Sequence, residues 1–216
     1  MTLKLSRRDA LVAAASIPLW GAAASHAKPA DHYDVIVIGG GTAGIPCALF
    51  AALGGARVLL VEKSPSLGGT LFWSTGQIAG SGPAFQQRLA TEDNPDAHFA
   101  DCMRINGATA DPELTRLTVD HAGDTINWLA QQGFEVMDGH PVTGIGHDHF
   151  TARRYQQGTK SGLSILDALL PKLNQAISNR QVTLLTSTSA TALLQQKSGA
   201  ITGVTVDGPF GRKDVK

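Results

Sequence analysis

An excess of charge of either sign is absent from this sequence of 216 residues, in which 18 lysines and arginines balance 18 aspartates and glutamates. Proteins that bind nucleic acid or an anionic membrane surface through charge need a basic surplus. We therefore expect neither of these partners. Hydrophobic residues make up 43% of the chain, which is enough for a globular core.

Cysteine is scarce as well, with only Cys47 and Cys102, far apart in the chain. No CxxC spacing occurs, which excludes a disulfide framework and a thiolate metal site. Cys47 falls in an apolar segment, and we predict that it is a small buried thiol without a chemical role.

The N-terminus lacks an apolar run long enough for a membrane anchor. Ala10 to Ser25 is uncharged for about 16 residues, short of the roughly 20 that span a bilayer, and contains Pro18. Arg7 and Arg8 precede this stretch, and small residues end it near Ala27, so residues 1–27 resemble a twin-arginine export signal. The sequence thus predicts a periplasmic protein without a stable membrane anchor. A loose cytoplasmic tail is the alternative.

Glycine is plentiful, with 24 residues, and three of them follow one another at Gly39, Gly40 and Gly41. They stand after a predicted strand over 33–38 and before a predicted helix over 42–53. A second apolar strand is predicted over 57–61, which completes a βαβ unit with a parallel sheet. Three ordered glycines at a strand end indicate a sharp turn that leaves room for a ligand.

The turn carries a GxGxxG motif at Gly39, Gly41 and Gly44, in the strand-to-helix position that makes this motif informative. Gly39 is predicted to form the tight turn, Gly41 to admit a pyrophosphate and Gly44 to pack the helix on the strand. The helix N-terminus would present free N–H groups to the phosphates. Glu62, 18 residues beyond Gly44, is placed to bind the adenosine ribose and disfavours a 2′-phosphate. The motif alone leaves NAD and FAD open.

The segment after Glu62 favours FAD. Residues 64–82 form a long, small-residue loop with Gly68-Gly69-Thr70 and Ser74-Thr75-Gly76, where a simple NAD domain would soon enter a helix. A loop of this length inside a compact domain is usually functional.

The strings DVIVIGGGTAG, VLLVEKSPSLGGT and STGQIAG resemble the FAD-binding domain of the fumarate reductase and succinate dehydrogenase flavoprotein superfamily, which includes 3-ketosteroid dehydrogenases. The resemblance implies an α/β, Rossmann-like domain over residues 33–216, with a parallel sheet, helices and an antiparallel β-meander. It also implies that the domain is incomplete at its C-terminus, because the family's capping domain and catalytic residues would follow Lys216. Gln77 departs from the pattern, which often has a glycine there. The cofactor-binding residues implied by motif and resemblance are Gly39, Gly41, Thr42, Ala43, Gly44, Glu62, Lys63, Gly68, Gly69, Thr70, Ser74 and Gly76.

The rest of the chain is predicted from caps, turns and periodicity. Residues 139–160 are expected to be irregular and polar, and Pro171 is expected to kink or split the last helix. The predicted elements are helices over 94–105, 111–132 and 162–177, and a meander of strands over 182–185, 190–194 and 201–206.

Several polar and aromatic residues have two interpretations. His147 and His149, with His140 nearby, could suggest a metal site, but no ligand spacing frames them, so we predict a polar loop and no metal. A role in recognising a substrate carboxylate stays open for His147, His149, Arg153 and Arg154. Trp73 either covers the flavin or fills the core. Trp128 is predicted to be a packing residue.

The resulting prediction is an FAD-dependent oxidoreductase. It would transfer hydride between flavin N5 and a CH–CH or C=C bond next to a carboxylate or ketone, with a small-molecule substrate and an electron-transfer partner. Two alternatives remain at this point, a non-catalytic dinucleotide-binding fragment and an NAD-dependent dehydrogenase.

Overall fold

The computed structural model describes residues 29–89, 92–144 and 147–216. The predicted export signal at residues 1–27 lies outside them. Within the described ranges, no helix combines the length and the hydrophobicity that crossing a bilayer requires.

The described residues form strands in three sheets and five α-helices, and a short 3-10 helix covers Gly69–Phe72. The strands are β1 (Val35–Ile38), β2 (Val58–Val61), β3 (Ile78–Ala79), β4 (Tyr155–Gln156), β5 (Val182–Leu185), β6 (Ser189–Gln195), β7 (Ile201–Gly208) and β8 (Gly211–Val215). The α-helices are α1 (Gly44–Leu53), α2 (Ala84–Gln87), α3 (Pro95–Ile105), α4 (Pro112–Gln131) and α5 (Leu163–Ser178).

A three-stranded parallel sheet in the order β1-β2-β5 forms the centre of the fold. All four residues of the middle strand, β2, are buried. Helices α1 and α5 cover one face of the sheet through a cluster that includes Ile45, Leu60 and Leu169. The meander covers the other face through Leu59, Leu185 and residues of β7 and β8. Burial on both faces explains why these strands are continuous apolar runs, and the predicted α/β class is confirmed.

The strands that form the meander differ from those predicted. Val182–Leu185 was predicted as its first strand, but β5 pairs in parallel with β2 instead. The mostly buried residues of β5 are typical of a central-sheet strand, whereas a meander strand has one solvated face. The third meander strand is β8, which pairs with β7 and which the sequence did not predict. Three consecutive charged residues, Arg212 to Asp214, interrupt the alternation of apolar and polar residues that predicts a strand.

Two further segments differ from expectation. The loop over 64–82 contains the 3-10 helix and β3, and β3 pairs with β4 from the region expected to be irregular. Helix α5 is not split, because it continues through Pro171. Pro171 lies on the exposed face of α5, where water can satisfy the carbonyl that loses its partner. The apolar stripe on the opposite face, including Leu166 and Leu173, is buried as predicted.

Helices α3 and α4 begin as their caps predict. The side chain of Asn94 accepts a hydrogen bond from the N–H of Ala97 at 2.9 Å. Asp111 accepts from the N–H groups of Glu113 and Leu114. Asparagine and aspartate at these positions satisfy N–H groups that the first helical turn leaves unpaired.

Candidate functional site

The glycine-rich turn joins β1 to α1. Gly39 has φ +98°, and its N–H donates to the carbonyl of Val61 at 2.8 Å. A Cβ on Gly44 would lie 1.7 Å from the carbonyl oxygen of Gly39. Any side chain at Gly44 would therefore force α1 away from β1, which confirms the packing role predicted for this glycine.

The N-terminus of α1 is open to a ligand. A Cβ placed on Gly41 would meet no atom within 4 Å. In the described part of the chain, no acceptor pairs with the N–H groups of Gly41, Thr42 and Ala43, and no side chain caps the helix. Free N–H groups at the positive end of a helix dipole suit an anion such as a diphosphate.

Glu62 directly follows β2 and lies at the same edge of the sheet as the glycine turn. It is 8% exposed, and each carboxylate oxygen accepts a backbone N–H, from Gly40 at 2.8 Å and from Ser64 at 2.7 Å. A carboxylate offers about four acceptor positions, so two remain for sugar hydroxyls. Glu62 therefore fixes the shape of the turn and keeps acceptor capacity for a ribose.

Gly40 connects the predicted motifs, although the GxGxxG pattern treats it as variable. Its N–H donates to Glu62, and its carbonyl accepts from the N–H of Gly68 at 2.8 Å. A Cβ on Gly40 would lie 2.2 Å from Cδ2 of Leu67. The run of three consecutive glycines was the only sequence signal for this role.

A cleft of about 220 Å³ lies at the carboxyl ends of the parallel strands. Ile38, Glu62 and Lys63 line it, together with Thr188 from the turn between β5 and β6 and Ser189 at the start of β6. Ligands of open α/β sheets bind outside the carboxyl ends of the strands. Thr188 and Ser189 were missed in the sequence, where the hydroxyl-rich run after β5 was the available signal.

The second predicted loop approaches the glycine turn. A Cβ on Gly69, whose φ is +50°, would lie 3.6 Å from Cα of Gly41. Gly68 has φ +119°, and a Cβ there would clash with Leu166 and Phe72. The structure therefore brings Gly68, Gly69 and the exposed Thr70 beside the turn that contains Gly41.

Ser74 and Gly76 lie farther along this loop, against the N-terminus of α5. The N–H of Gly162 donates to the carbonyl of Ser74 at 3.2 Å. Gly76 has φ +65°, and a Cβ there would lie 2.5 Å from Cα of Gly162. Packing therefore accounts for the glycine at position 76, and its flavin contact stays a prediction. The departing residue Gln77 donates to the side chain of Gln157 at 3.0 Å.

Trp73 is 90% exposed, which excludes the interpretation that it fills the core. Trp128 behaves as predicted, since it packs against the core and against Phe50 with ring centroids 5.1 Å apart. Cys47 is exposed, so the prediction of a buried thiol was wrong. Phe50 is also exposed, so the outer face of α1 is partly apolar. The sequence of α1 therefore does not indicate which of its faces is buried.

The histidine-rich segment forms local contacts. His147 lies 3.1 Å from the hydroxyl of Tyr155, and Nδ1 of His140 lies 3.0 Å from the carbonyl oxygen of Tyr155. Arg153 donates to the carbonyls of Pro141 and Gly139. Across the described ranges, no three or more His, Cys, Asp or Glu side chains group as metal ligands would.

Arg154 is completely buried and forms ion pairs with two aspartates. Its guanidinium donates to Asp93 at 2.6 and 2.7 Å and to Asp101 at 2.5 Å. Burial lowers the pKa of Arg154, but the hydrogen bonds to both carboxylates outweigh this effect and raise it. Burial raises the pKa of Asp101, but hydrogen bonds from Thr151 and Arg154 hold it below its usual range. Both ends of the guanidinium are occupied, so Arg154 does not recognise a substrate carboxylate.

His98 lies beside this cluster and was not predicted from the sequence. It is 3% exposed and contacts Phe150 edge-on, with ring centroids 5.4 Å apart. Its Nδ1 has no hydrogen-bond partner among the described residues. Burial, with Arg154 nearby, lowers the pKa of His98 to about 4, so the ring is neutral at pH 7.

Comparison with known proteins places this geometry in context. A family described as FAD binding domain matches residues 34–216. The cytochrome-type fumarate reductase of Shewanella frigidimarina is 28% identical over 188 residues, which are 87% of this chain and 32% of that protein. The vinyl phenol reductase of Lactiplantibacillus plantarum is 34% identical over 181 residues, covering 82% of this chain and 34% of that protein.

A similar fold occurs in the solved structure of 3-ketosteroid-delta4-(5alpha)-dehydrogenase from Rhodococcus jostii. The TM-score is 0.71 at 20% identity, and the match covers 89% of this chain and 45% of the other. The chain spans about a third of the length of the two relatives named above. The family match decides between the two cofactors that the glycine motif left open, in favour of FAD.

Proposed function

The chain belongs to the FAD binding domain family, and on that premise we propose that it holds the FAD of an oxidoreductase acting on a carbon–carbon double bond. The reaction is hydride transfer between flavin N5 and a CH–CH or C=C bond next to a carboxylate or ketone. Bound FAD supplies or accepts the hydride, while this chain binds and orients the cofactor.

The unpaired N–H groups at the start of α1 carry this proposal. Gly41, Thr42 and Ala43 receive the diphosphate, because their N–H groups have no acceptor among the described residues, a Cβ on Gly41 would meet no atom within 4 Å, and they lie at the positive end of a helix. Glu62 receives the adenosine ribose with its two free acceptor positions. Gly68, Gly69 and Thr70 lie on the flavin side of the diphosphate, with Ser74 and Gly76 beyond them. Lys63, exposed in the same cleft, lies beside the ribose.

The substrate class is inferred from the relatives. A fumarate reductase and a vinyl phenol reductase both have names that describe reduction of a molecule containing a C=C bond. Of the described residues, Arg154 and His98 are not placed to donate the proton, because Arg154 is engaged with aspartates and His98 is buried. The chain spans about a third of the length of these relatives, and we propose that the catalytic acid or base comes from the remainder of the enzyme.

Flavin content and activity together test the function. The purified protein is expected to carry FAD, identified by its visible absorbance and by chromatography of the released cofactor. With reduced methyl viologen as the electron donor, the complete enzyme that contains this domain is expected to reduce an unsaturated carboxylate such as fumarate or a vinyl phenol. A protein that carries FAD but reduces neither, nor an unsaturated ketone, would contradict the proposed reaction.

Export is a separate part of the proposal. Residues 1–27 act as a cleaved twin-arginine signal, and residues 33–216 form the FAD-binding domain, which receives electrons in the periplasm from an electron-transfer partner. Changing Arg7 and Arg8 to lysine is expected to leave the protein in the cytoplasm with an uncleaved N-terminus. Unchanged periplasmic recovery and processing of this variant would contradict the export proposal.

A further inference from the structure

We propose that the indole ring of Trp73 belongs to the flavin site and packs against the isoalloxazine ring of bound FAD, an inference that rests on the proposed function. Trp73 would thus be a cofactor-contact residue outside both glycine motifs.

The starting observation is the exposure of this side chain. Trp73 is 90% exposed, more than the other exposed large apolar residues of the described chain, of which Leu53 is next at 74%. Tryptophan buries more apolar area than any other side chain when it has a partner, so an almost fully exposed indole indicates a contact surface.

The local structure holds Trp73 in this position. In the 3-10 turn, Leu71 is buried and Phe72 packs against the core. Trp73 follows, and its backbone N–H donates a hydrogen bond to the carbonyl of Thr70 at 3.0 Å. The next residue, Ser74, is bonded to Gly162. A Cβ on Gly162 would lie 2.2 Å from the carbonyl oxygen of Leu71, so the turn is tightly seated on α5. The backbone is therefore held on both sides of Trp73, which fixes the position from which the exposed indole projects.

The position of Trp73 in the site identifies its occupant. A Cβ on Gly69, four residues before Trp73, would lie 3.6 Å from Cα of Gly41, so this loop lies beside the glycine turn. Thr70 and Ser74, which precede and follow Trp73 in the sequence, are both exposed and belong to the predicted flavin side. Glu62 and the cleft proposed for the adenosine involve other residues of the turn, Ile38 and Gly39. A flat, electron-poor isoalloxazine extending from the diphosphate past Thr70 would reach an electron-rich indole, and such aromatic pairs attract each other beyond simple area burial.

Flavin fluorescence tests this contact, because an indole quenches flavin emission by electron transfer only at close range. The variants are Trp73→Phe and the matched control Trp128→Phe, which changes a tryptophan packed against the core and against Phe50 of α1. Emission of protein-bound FAD is expected to rise several-fold in Trp73→Phe and to stay unchanged in Trp128→Phe. The sequence has three tryptophans, so the emission of Trp73 is taken as the difference between the wild type and Trp73→Phe. Acrylamide quenching of this difference is expected to be strong without FAD and weak with it.

Affinity provides an independent measurement. Trp73→Ala is expected to raise the Kd for FAD about fivefold, since an aromatic pair contributes roughly that factor. Its thermal midpoint without FAD should match the wild type, because the side chain contacts little protein. The inference would be overturned if the wild type, Trp73→Phe and Trp128→Phe showed equal flavin emission, or if the access of acrylamide to Trp73 did not change when FAD binds. Either result would leave the proposed function intact. If the wild-type protein binds no FAD, the proposed function itself fails.

Discussion

The backbone N–H of Gly40 lies 2.8 Å from Oε2 of Glu62, and this contact joins the two parts of the candidate cofactor site. Gly40 belongs to the glycine turn after β1, and Glu62, 22 residues later, directly follows β2. Because the carbonyl of Gly40 also accepts from the N–H of Gly68, a single glycine holds the glycine turn, the carboxylate of Glu62 and the loop at Gly68 in one arrangement.

Gly41 and Gly44 should respond differently to the same substitution. Gly41→Ala adds a methyl group in open space, so the free energy of unfolding is expected to change by less than about 1 kcal/mol. FAD affinity should fall at least tenfold, because the methyl group occupies the diphosphate position. Gly44→Ala puts the methyl group 1.7 Å from the carbonyl oxygen of Gly39 and should destabilise the fold itself. Denaturant unfolding and FAD titration measure the two effects, and normal FAD binding by Gly41→Ala would refute the assigned diphosphate position.

Glu62→Gln keeps the shape of the side chain but removes one acceptor oxygen. Both N–H groups, of Gly40 and Ser64, then lose a charged partner, and one of them faces the amide NH2 and loses its acceptor altogether, which is expected to cost about 1–3 kcal/mol of unfolding free energy. FAD affinity should fall about tenfold through the ribose. Asp34→Asn is the control, since this exposed carboxylate also accepts a backbone N–H, from Arg57, but at the opposite end of β1. Equal FAD affinity of the two variants would contradict the proposal that Glu62 binds the ribose.

The sequence predicted the glycine turn and Glu62 because both depend on local geometry. A tight turn between a strand and a helix needs glycine at fixed positions, and the acid follows on the next strand. The role of Gly40 could not be predicted, since it depends on close packing against Leu67, which leaves no room for a Cβ, and on a hydrogen bond from Gly68, both of which only the folded chain reveals. The assignment of β5 failed for a similar reason, because strand partners are set by tertiary packing rather than by the order of strands in the chain.

The site around Arg154 was beyond sequence analysis. Asp93, Asp101 and Arg154 are separated by up to 61 residues, and their pairing depends on how α3 meets the segment before β4. Charged residues in polar segments are usually solvated, so the sequence offered no sign that this arginine is buried.

Arg154→Met should strongly destabilise the protein. It leaves the buried carboxylate of Asp93 without its cation and Asp101 with its ion pair to Arg104 alone. Removing one partner of a buried ion pair typically costs about 3–5 kcal/mol. Arg116→Met is the matched control, because Arg116 pairs with Asp96 and Asp120 on the surface, where ion pairs contribute little. Chemical denaturation of both variants gives the comparison, and similar losses would show that the Arg154 pairs are not buried in solution.

His98 should make stability depend on pH. Burial lowers its pKa in the folded protein to about 4, below the ordinary value of 6.5 in the unfolded chain. Between these values only the unfolded chain takes up the proton, so the free energy of unfolding should decrease by up to about 3 kcal/mol as pH falls from 6.5 to 4. Below this range Asp101, whose folded pKa is depressed, adds a further loss.

His98→Gln removes the titrating group, so its stability should be flatter over the same pH interval. Denaturation curves of both proteins at several pH values measure the slopes. Identical slopes would mean that His98 is not buried in its neutral form.

Amide hydrogen exchange at Gly41, Thr42 and Ala43 tests the central claim most directly, because these N–H groups donate to no acceptor of the described chain. In the flavin-free protein they are expected to exchange rapidly, and saturating FAD is expected to slow their exchange more than that of neighbouring helix amides. Binding of FAD without protection of these three amides would contradict the account.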